Sequence, residues 1–469
     1  MSAELAYTSA TELVRRYRAK QLSPVEVTQA VLARIVALNP KLNAFCLVDE
    51  AGALAAARAS EARWMKGAPL GWVDGVPASI KDLILTRGWP TLRGSKTVDR
   101  SGPWLEDGPA TARLRENGAV LLGKTCTPEF GWKGVTDSAL TGITRNPWNT
   151  DCTPGGSSGG ASAQVAAGMG QLAVGTDGGG SIRIPCSFAG ISGIKAGFGR
   201  VPAWPLSPFG TMAHVGPMAR TAADCALMLN VLAQPDLRDW TALPCAGIDW
   251  TLGLDAGVKG LRIAYSPRLG YVKHLHAEVE ARVADAAKVL ASMGAQVDEV
   301  DPGFADCRDT FAVHWMSGAY NLLRNMSKEK FALLDPGLQE ACASGSQYTL
   351  AQYLDAVSAR GALGEHMMRF HQKYDLLLTP ATPIPAFAAG VIAPEPPAGE
   401  AKGWTWWTPY SFPFNLTQQP AMSVPCGFSK EGLPVGLQLV GPMHREDLVL
   451  RAAHAYQQGT DHHLRRPVL

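Results

Sequence analysis

Three segments of the 469-residue chain combine residue types that could carry out nucleophilic chemistry. In the first, Lys81 follows an apolar run that begins at Gly75, so its amine could lie at the edge of a sheet. A surface lysine that only covers apolar area is the alternative. The second, Thr153–Gly160, is a Gly/Ser run directly before an alanine-rich helix, and the third, Gly175–Pro185, places three glycines before Ser181.

The second and third segments could supply backbone N–H groups to a negative charge. A helix that begins at the run 153–160 would present its N–H groups and its dipole there, although such a run could also be a flexible linker. Gly178, Gly179 and Gly180 let consecutive N–H groups turn toward one point, as an oxyanion hole requires. The three segments therefore belong together as one candidate site.

Other short motifs lack the context that their chemistry needs. Gly118–Thr125 matches the phosphate-binding loop letter for letter, but its interior is apolar and strand-like, and Pro128 stands where a helix should begin. The G-x-S-x-G pattern in 155–160 lacks the preceding hydrophobic strand, and the S-x-x-K pattern of Ser192–Lys195 has no K-T-G partner. The ten histidines are dispersed without a metal-ligand set, so we expect no metal site.

The composition argues against several classes of protein. Lys and Arg number 43 against 41 Asp and Glu, so the chain lacks an electrostatic footprint for nucleic acid or an anionic membrane. Its nine cysteines contain no C-x-x-C pair, which argues against a disulfide framework and favours a reducing cytoplasm. The first residues lack the pattern of a signal peptide. Only 18% of residues are charged, and none lies between Asp151 and Asp177.

Short apolar runs alternate with helical patterns, which predicts an α/β chain with a parallel or mixed sheet covered by helices on both faces. Residues 1–65 are predicted to be helices packed on the core, with a capping box at Ser23–Glu26. Residues 381–410 predict a long loop, either a mobile flap or a plain surface excursion. Candidate strands are 75–80, 119–122, 172–174, 261–264, 297–300, 376–378, 422–424 and 435–440; candidate helices are 110–116, 158–167, 222–233, 276–293 and 445–457.

Taken jointly, the three segments resemble the amidase signature family of Ser-Ser-Lys hydrolases. They occur in family order and at family-like separations, including 24 residues between Ser157 and Ser181. The resemblance extends from the helix at Ser9 to the strands at 420–441 and is densest over 81–202. It implies a single domain over the whole chain, an α/β/α sandwich around a mixed, mostly parallel twisted sheet, with the catalytic core motifs in 75–202.

The resemblance also implies a role for each matching residue. Ser181 matches the nucleophile, Ser157 the bridging serine in a cis peptide bond, and Lys81 the general base. The other matches are the oxyanion-hole residues Gly178, Gly179 and Gly180 with the N–H of Ser181, the supporting Ser158, and Asp177 and Arg183, which resemble a structural ion pair that orders the loop.

The implied mechanism depends on a neutral lysine. A serine hydroxyl becomes a good nucleophile only when a base takes its proton, and a lysine is a base only when neutral. Burial can lower a lysine pKa by roughly 3–5 units, and the charge-poor stretch is consistent with such burial. Neutral Lys81 would take a proton from Ser157, which would take one from Ser181. The Ser181 oxygen would attack the carbonyl, and water would later release the acyl group.

The family contains two competing functions. The one we favour is hydrolysis of the C–N bond of a small amide, with carbamates or esters also chemically possible. The other is that of the catalytic A subunit of a tRNA-dependent glutamine amidotransferase, which holds glutamine through a carboxylate just before an N-L-x-x-x-P segment. Here that segment is Asn415–Pro420, and no Asp or Glu occurs from 401 to 430.

Aromatic residues occupy the place of that carboxylate. The stretch 404–412 contains three Trp, a Tyr and a Phe, which favours an apolar or aryl substrate unless these rings only pack the loop onto the body. Trp132 and Phe188, the aromatics nearest in sequence to the catalytic motifs, are candidate substrate-pocket residues.

The remaining expectations concern partners. No cofactor is expected, because base, nucleophile and oxyanion donors all come from the chain. The expected partner is a small-molecule amide, with no nucleic acid and no membrane, in the cytoplasm. Homodimers are common among relatives, but the sequence does not show one. A catalytically inactive binding protein with this fold is the alternative of another class, against which the set Lys81, Ser157 and Ser181 argues.

Overall fold

The structure, a computed structural model, describes residues 2–244, 247–400 and 403–469. Its helices are α1 Ser2–Ala6, α2 Ala10–Arg18, α3 Pro24–Leu42, α4 Glu50–Lys66, α5 Pro109–Glu116, α6 Gly159–Ala166, α7 Arg183–Ala189, α8 Ala222–Leu232, α9 Ala277–Ser292, α10 Arg308–Leu323, α11 Lys328–Phe331, α12 Pro336–Gly345, α13 Leu350–Phe370, α14 Pro413–Leu416 and α15 Glu446–Gln458. Its strands are β1 Phe45–Val48, β2 Pro77–Lys81, β3 Val120–Thr125, β4 Asp137–Ser138, β5 Gly142–Ile143, β6 Leu172–Asp177, β7 Ser192–Lys195, β8 His214–Ala219, β9 Arg262–Tyr265, β10 Gln296–Glu299, β11 Leu376–Pro380, β12 Ala421–Phe428 and β13 Pro434–Val440.

One large mixed sheet organises the molecule. It has eleven strands in the order β1-β3-β2-β6-β8-β7-β12-β13-β11-β9-β10, while β4 and β5 form a separate pair. Both faces of the sheet are covered, because Leu172 and Val174 of β6 pack into one buried cluster and the intervening Ala173 packs into another. The predicted α/β class with a mixed, helix-flanked sheet is confirmed.

The prediction that the sheet is mostly parallel is wrong. Four neighbouring pairs of strands are parallel and six are antiparallel. The physical reason is clearest at β12 and β13, which are joined by the five residues between Phe428 and Pro434. A link of that length can join only antiparallel neighbours, because a parallel crossover needs about a dozen residues or more.

The N-terminal helices pack against this sheet. The predicted capping box is present at the start of α3, where the Ser23 side chain accepts from the first turn and Glu26 accepts from the Ser23 N–H. Val27 and Val31 on the buried face of α3 share one hydrophobic cluster with Val120 of β3. The single-domain organisation stays a prediction. No helix in the described ranges has the length and apolar character needed to cross a membrane.

The sheet brings the three chemical segments to one edge. Strands β2 and β6 are parallel neighbours, with Ala78 opposite Leu172 and Ile80 opposite Val174. Because parallel strands end at the same edge, Lys81 at the end of β2 lies beside the loop that follows β6. Helix α6 begins at the same edge, at Gly159 near the end of the Gly/Ser run.

The loop predicted over 381–410 is joined to the segment before that run. The N–H of Thr153 donates to the carbonyl of Phe387 at 2.7 Å, and the N–H of Ala389 donates to the carbonyl of Asp151 at 2.8 Å. These bonds support an ordered surface excursion over this part of the loop. Ala401 and Lys402, which fall within the same prediction, lie outside the described residues.

Candidate active site

Lys81 is fully buried among three hydroxyl groups. Its Nζ lies 2.7 Å from Ser157 Oγ, 2.9 Å from Ser158 Oγ and 2.8 Å from Thr176 Oγ1. Burial disfavours the ammonium form and holds the pKa of Lys81 well below its ordinary value, against the smaller opposing field of Asp177. The surroundings therefore favour the neutral amine that a general base requires.

The hydrogen bonds around Nζ limit which hydroxyl can donate to it. A neutral amine donates two hydrogen bonds and accepts one, so one of the three hydroxyl groups must supply a proton to Nζ. Ser158 is excluded, because its hydroxyl donates to the carbonyl of Thr176 at 3.1 Å. A neutral Nζ therefore accepts its one hydrogen bond from Ser157 or Thr176, while Ser158 accepts a hydrogen bond from Nζ.

Ser157 and Ser181 reach one cavity from different segments. The peptide bond before Ser157 is cis, as the resemblance implied. The N–H of Ser158 donates to the carbonyl of Ser181 at 3.2 Å, which joins the two segments. Both serines line the same cavity. The structure thus brings Lys81, Ser157 and Ser181 together, as the sequence predicted.

A buried ion pair shapes the loop between β6 and α7. The Arg183 guanidinium donates to both carboxylate oxygens of Asp177 at 3.0 Å, and neither side chain is exposed. Burial by itself would raise the pKa of Asp177. The charge and hydrogen bonds of Arg183, together with the charge of Lys195 and the hydrogen bond from Asn415, outweigh burial and hold that pKa below its ordinary value. The ion pair expected between these two residues is present.

Arg183 also holds segments that are distant in sequence. Its Nη1 donates to the carbonyl of Ser411 at 2.9 Å and to Gln438 Oε1 at 2.7 Å. Its Nη2 donates to Asn415 Oδ1 at 2.7 Å, and the amide N–H of Asn415 donates to Asp177 Oδ1 at 2.9 Å. The N-L-x-x-x-P segment, which begins at Asn415, therefore supports the loop after β6.

The N–H of Gly180 is already engaged, which corrects its expected role as an oxyanion donor. It donates to Asp177 Oδ1 at 2.7 Å, because a buried carboxylate needs hydrogen-bond donors. Gly180 has φ of 125°, and a Cβ there would lie 2.5 Å from Ser411 Oγ, so only glycine fits. Within the loop 178–181, the N–H groups of Gly178, Gly179 and Ser181 donate to no residue in the described ranges.

We expect Arg183→Met to lower the free energy of unfolding by about 3–5 kcal/mol, because it leaves the Asp177 carboxylate buried without its partner. Urea denaturation measures this loss. The matched control is Arg369→Met, which removes an exposed ion pair with Glu365 and should cost less than about 1 kcal/mol. Losses of equal size in the two variants would contradict the structural role of Arg183.

The serines open into a mostly apolar cleft of about 980 Å³, its solvent-filled mouth included. Arg93 and His214 are its only ionisable lining side chains in the described part of the chain, and no Asp or Glu lines it. Burial lowers the pKa of His214 well below its ordinary value, so this ring is neutral. The aromatic walls are Phe130, Trp204, Phe209 and Trp315.

The predicted pocket residues Trp132 and Phe188 do not line this cleft. Both are buried in the aromatic core behind the cleft, to which Phe130, Phe209 and Trp315 of the cleft walls also belong, and Phe188 stacks on Trp407 there with ring centroids 5.7 Å apart. The prediction was based on closeness in sequence to the catalytic motifs. It was wrong because Phe188 lies on α7 and its side chain is directed toward that core and not toward the cleft. The rings of 404–412 are also buried there or in the adjoining core. They pack the loop onto the body, which was the alternative interpretation of this stretch.

The competing motifs have structural roles instead. Residues 120–125 of the phosphate-loop match form strand β3, and Lys124 is buried 3.3 Å from Asp82. Ser192 and Lys195 of the S-x-x-K match hydrogen-bond to different partners. No group of three or more His, Cys, Asp or Glu that could hold a metal occurs within 2–244, 247–400 or 403–469.

Several site residues escaped the sequence reasoning. Thr176 contacts Lys81 directly, and its place just before Asp177 in the third segment was the available signal. Arg93 and the four aromatic walls had no local signal, because they lie outside the Gly/Ser-rich motifs and reach the cleft only through the fold.

Comparison with known proteins agrees with this geometry. The Amidase family model matches residues 26–450. Among curated relatives, the A subunit of the glutamyl-tRNA(Gln) amidotransferase of Roseiflexus castenholzii is 36% identical, over 99% of this chain and 97% of the relative. The chain therefore belongs to the amidase signature family.

Solved structures add hydrolases of the same fold. A bacterial aryl acylamidase of the amidase signature family superposes with a TM-score of 0.90 at 30% identity, covering 98% of this chain and 99% of the other. The 6-aminohexanoate cyclic dimer hydrolase superposes with a TM-score of 0.88 at 28% identity, with the same coverage. The chain is thus similar over nearly its whole length both to amide hydrolases and to one component of an amidotransferase.

Proposed function

We propose that this protein is a serine hydrolase that cleaves the C–N bond of a small amide with an apolar or aryl body, through an acyl-enzyme on Ser181. The observation that carries the proposal is the cleft. Ser157 and Ser181 open into apolar and aromatic walls on which no described carboxylate lies. Such walls favour an uncharged amide group in an apolar frame.

The proposed reaction begins with two proton transfers. Neutral Lys81 takes the proton of Ser157, and Ser157 takes the proton of Ser181 as the Ser181 oxygen attacks the carbonyl carbon. The tetrahedral intermediate collapses when Ser157 returns a proton to the leaving nitrogen, which breaks the C–N bond. Water then attacks the acyl-enzyme by the same route and releases the acid. The same steps apply to a carbamate or an ester.

The free N–H groups stabilise the developing negative charge in this mechanism. Those of Gly178, Gly179 and Ser181 are unpaired in the described chain, and each such donor typically contributes about 10²–10³-fold to kcat. Gly180 acts indirectly, because its bond to Asp177 holds the loop in position.

Glutamine amidotransfer is the second candidate, favoured by the identity to the Roseiflexus protein. A free amino acid brings an ammonium group into the site, and a buried ammonium needs an anionic partner. The cleft lining offers none among the described residues. The chemistry of the cleft therefore supports amide hydrolysis over glutamine binding.

A substrate panel tests the choice. It contains p-nitrobutyranilide, butyramide, a phenyl carbamate, p-nitrophenyl butyrate and glutamine. We expect kcat/KM for the anilide to exceed that for glutamine by at least about 10²-fold, as the unpaired ammonium penalty implies. Glutamine as the best substrate, or activity only with tRNA and the other amidotransferase components added, would establish the second candidate. Failure of a fluorophosphonate to label Ser181 would support an inactive binding protein.

A further inference from the structure

Arg93 is a charged side chain in the catalytic cleft that the proposed reaction does not use. It is half-buried and lines the cleft together with Ser157 and Ser181. Its backbone has φ of 57° and that of Phe130 has φ of 50°, both unusual for residues other than glycine. The N–H of Phe130 donates to the carbonyl of Arg93 at 2.8 Å. Two cleft-lining residues in a rare conformation are therefore held against each other.

The guanidinium of Arg93 makes no hydrogen bond or ion pair with any residue of the described ranges. Asp82 is the carboxylate whose field acts on it, but Asp82 has other partners. Asp82 Oδ1 lies 3.3 Å from Lys124 Nζ, and both side chains are buried. The negative charge of Asp82 is thus balanced by Lys124, which leaves the positive charge of Arg93 uncompensated.

No other described residue that lines the cleft compensates this charge. No carboxylate lines it in the described chain, and His214 is neutral because burial lowers its pKa. Burial also lowers the pKa of Arg93, but a guanidinium remains protonated in proteins. A partly buried cation without a partner, in a site built to receive a ligand, has the chemistry to bind an anion.

We infer that Arg93 binds a carboxylate of the substrate, so that the preferred amide carries one negative charge on an otherwise apolar body. The inference rests on the proposed function and narrows its substrate class. One uncompensated cation matches a monoanion, and the planar guanidinium fork matches a carboxylate. Free glutamine carries a carboxylate too, but its ammonium would have no partner among the described lining residues.

A matched pair of anilides tests the inference: glutaric acid mono-p-nitroanilide and its neutral methyl ester. We expect wild-type kcat/KM to be about 10- to 100-fold higher for the acid, the range of a hydrogen bond to a charged group. The difference should lie mainly in KM. Arg93→Gln should abolish this preference, so that acid and ester are hydrolysed with equal kcat/KM, while Arg93→Lys should retain part of it. Arg100→Gln, at an exposed arginine seven residues away, is the control.

A second measurement does not require turnover. 4-Phenylbutyrate should slow fluorophosphonate labelling of Ser181 in the wild type more than its methyl ester does, and Arg93→Gln should remove the difference. Equal protection by acid and ester, or a wild type without preference between the anilides, would overturn the carboxylate site. Hydrolysis of the neutral anilide would still leave the proposed function intact in that case. Absence of both labelling and hydrolysis would instead overturn the proposed function and this inference with it.

Discussion

Ser181→Ala is expected to lower kcat for the best amide of the panel by about 10⁴-fold or more, equivalent to about 5.5 kcal/mol of barrier. The reason is that alanine has no oxygen to attack the carbonyl, so no acyl-enzyme forms. The free N–H groups and substrate binding then provide only residual catalysis. Steady-state kinetics and mass spectrometry after fluorophosphonate treatment measure the loss of turnover and of the covalent adduct.

Ser192→Ala is the matched control for this experiment. Ser192 is also a buried serine, but it accepts a hydrogen bond from Gln457 and does not line the cleft in the described chain. Its variant should keep both turnover and labelling. Labelling that persists in Ser181→Ala at the wild-type rate would show that another residue is the nucleophile.

Lys81→Ala is expected to lower kcat/KM by about 10³-fold, the middle of the range for general acid–base catalysis. In the wild type, kcat/KM should fall as the pH falls through the lowered pKa of Lys81. Above that pKa the amine is neutral and the rate is flat; below it the ammonium cannot accept a proton. The acid limb should therefore disappear in the variant, as a pH–rate profile would show.

Two further measurements separate a base from a merely structural lysine. Small primary amines should partly restore the Lys81→Ala rate, because the deleted side chain leaves space beside Ser157. Lys195 is a second fully buried lysine whose pKa is lowered by burial, so Lys195→Met should keep the acid limb. If the acid limb survives in Lys81→Ala and vanishes in Lys195→Met, the titrating group is Lys195. That result would contradict the role of Lys81 as the general base.

Local chemistry made much of the site predictable. The glycine-rich loop before Ser181 is recognisable in the sequence because few residues other than glycine adopt its backbone conformation, as the φ of Gly180 shows. The ion pair of Asp177 and Arg183 was predictable because the two residues flank that loop and lie close together in sequence. Gly180 itself was misjudged, because the sequence does not show that the buried carboxylate of Asp177 takes its N–H.

The strands and their relative directions were harder to predict from the sequence. Strand β8 contains Gly216 and Pro217, which locally oppose a strand, yet Pro217 pairs opposite Val174 of β6. The predicted strands lack β1, β7 and β8, and with them four of the six antiparallel pairs, so the predicted sheet looked mostly parallel. Long-range pairing overrode the local preference there.

The sequence by itself determined the α/β class and the family and identified Lys81, Ser157 and Ser181 as candidate catalytic residues, because those features depend on short stretches with distinctive backbone and side-chain chemistry. Only the tertiary structure decided which residues surround them. It buried Phe188 in an aromatic core and brought Arg93 into the cleft, because the walls of a cleft come from segments that are far apart in the chain. The inference about the charge of the substrate therefore depends on the tertiary structure and not on the sequence motifs.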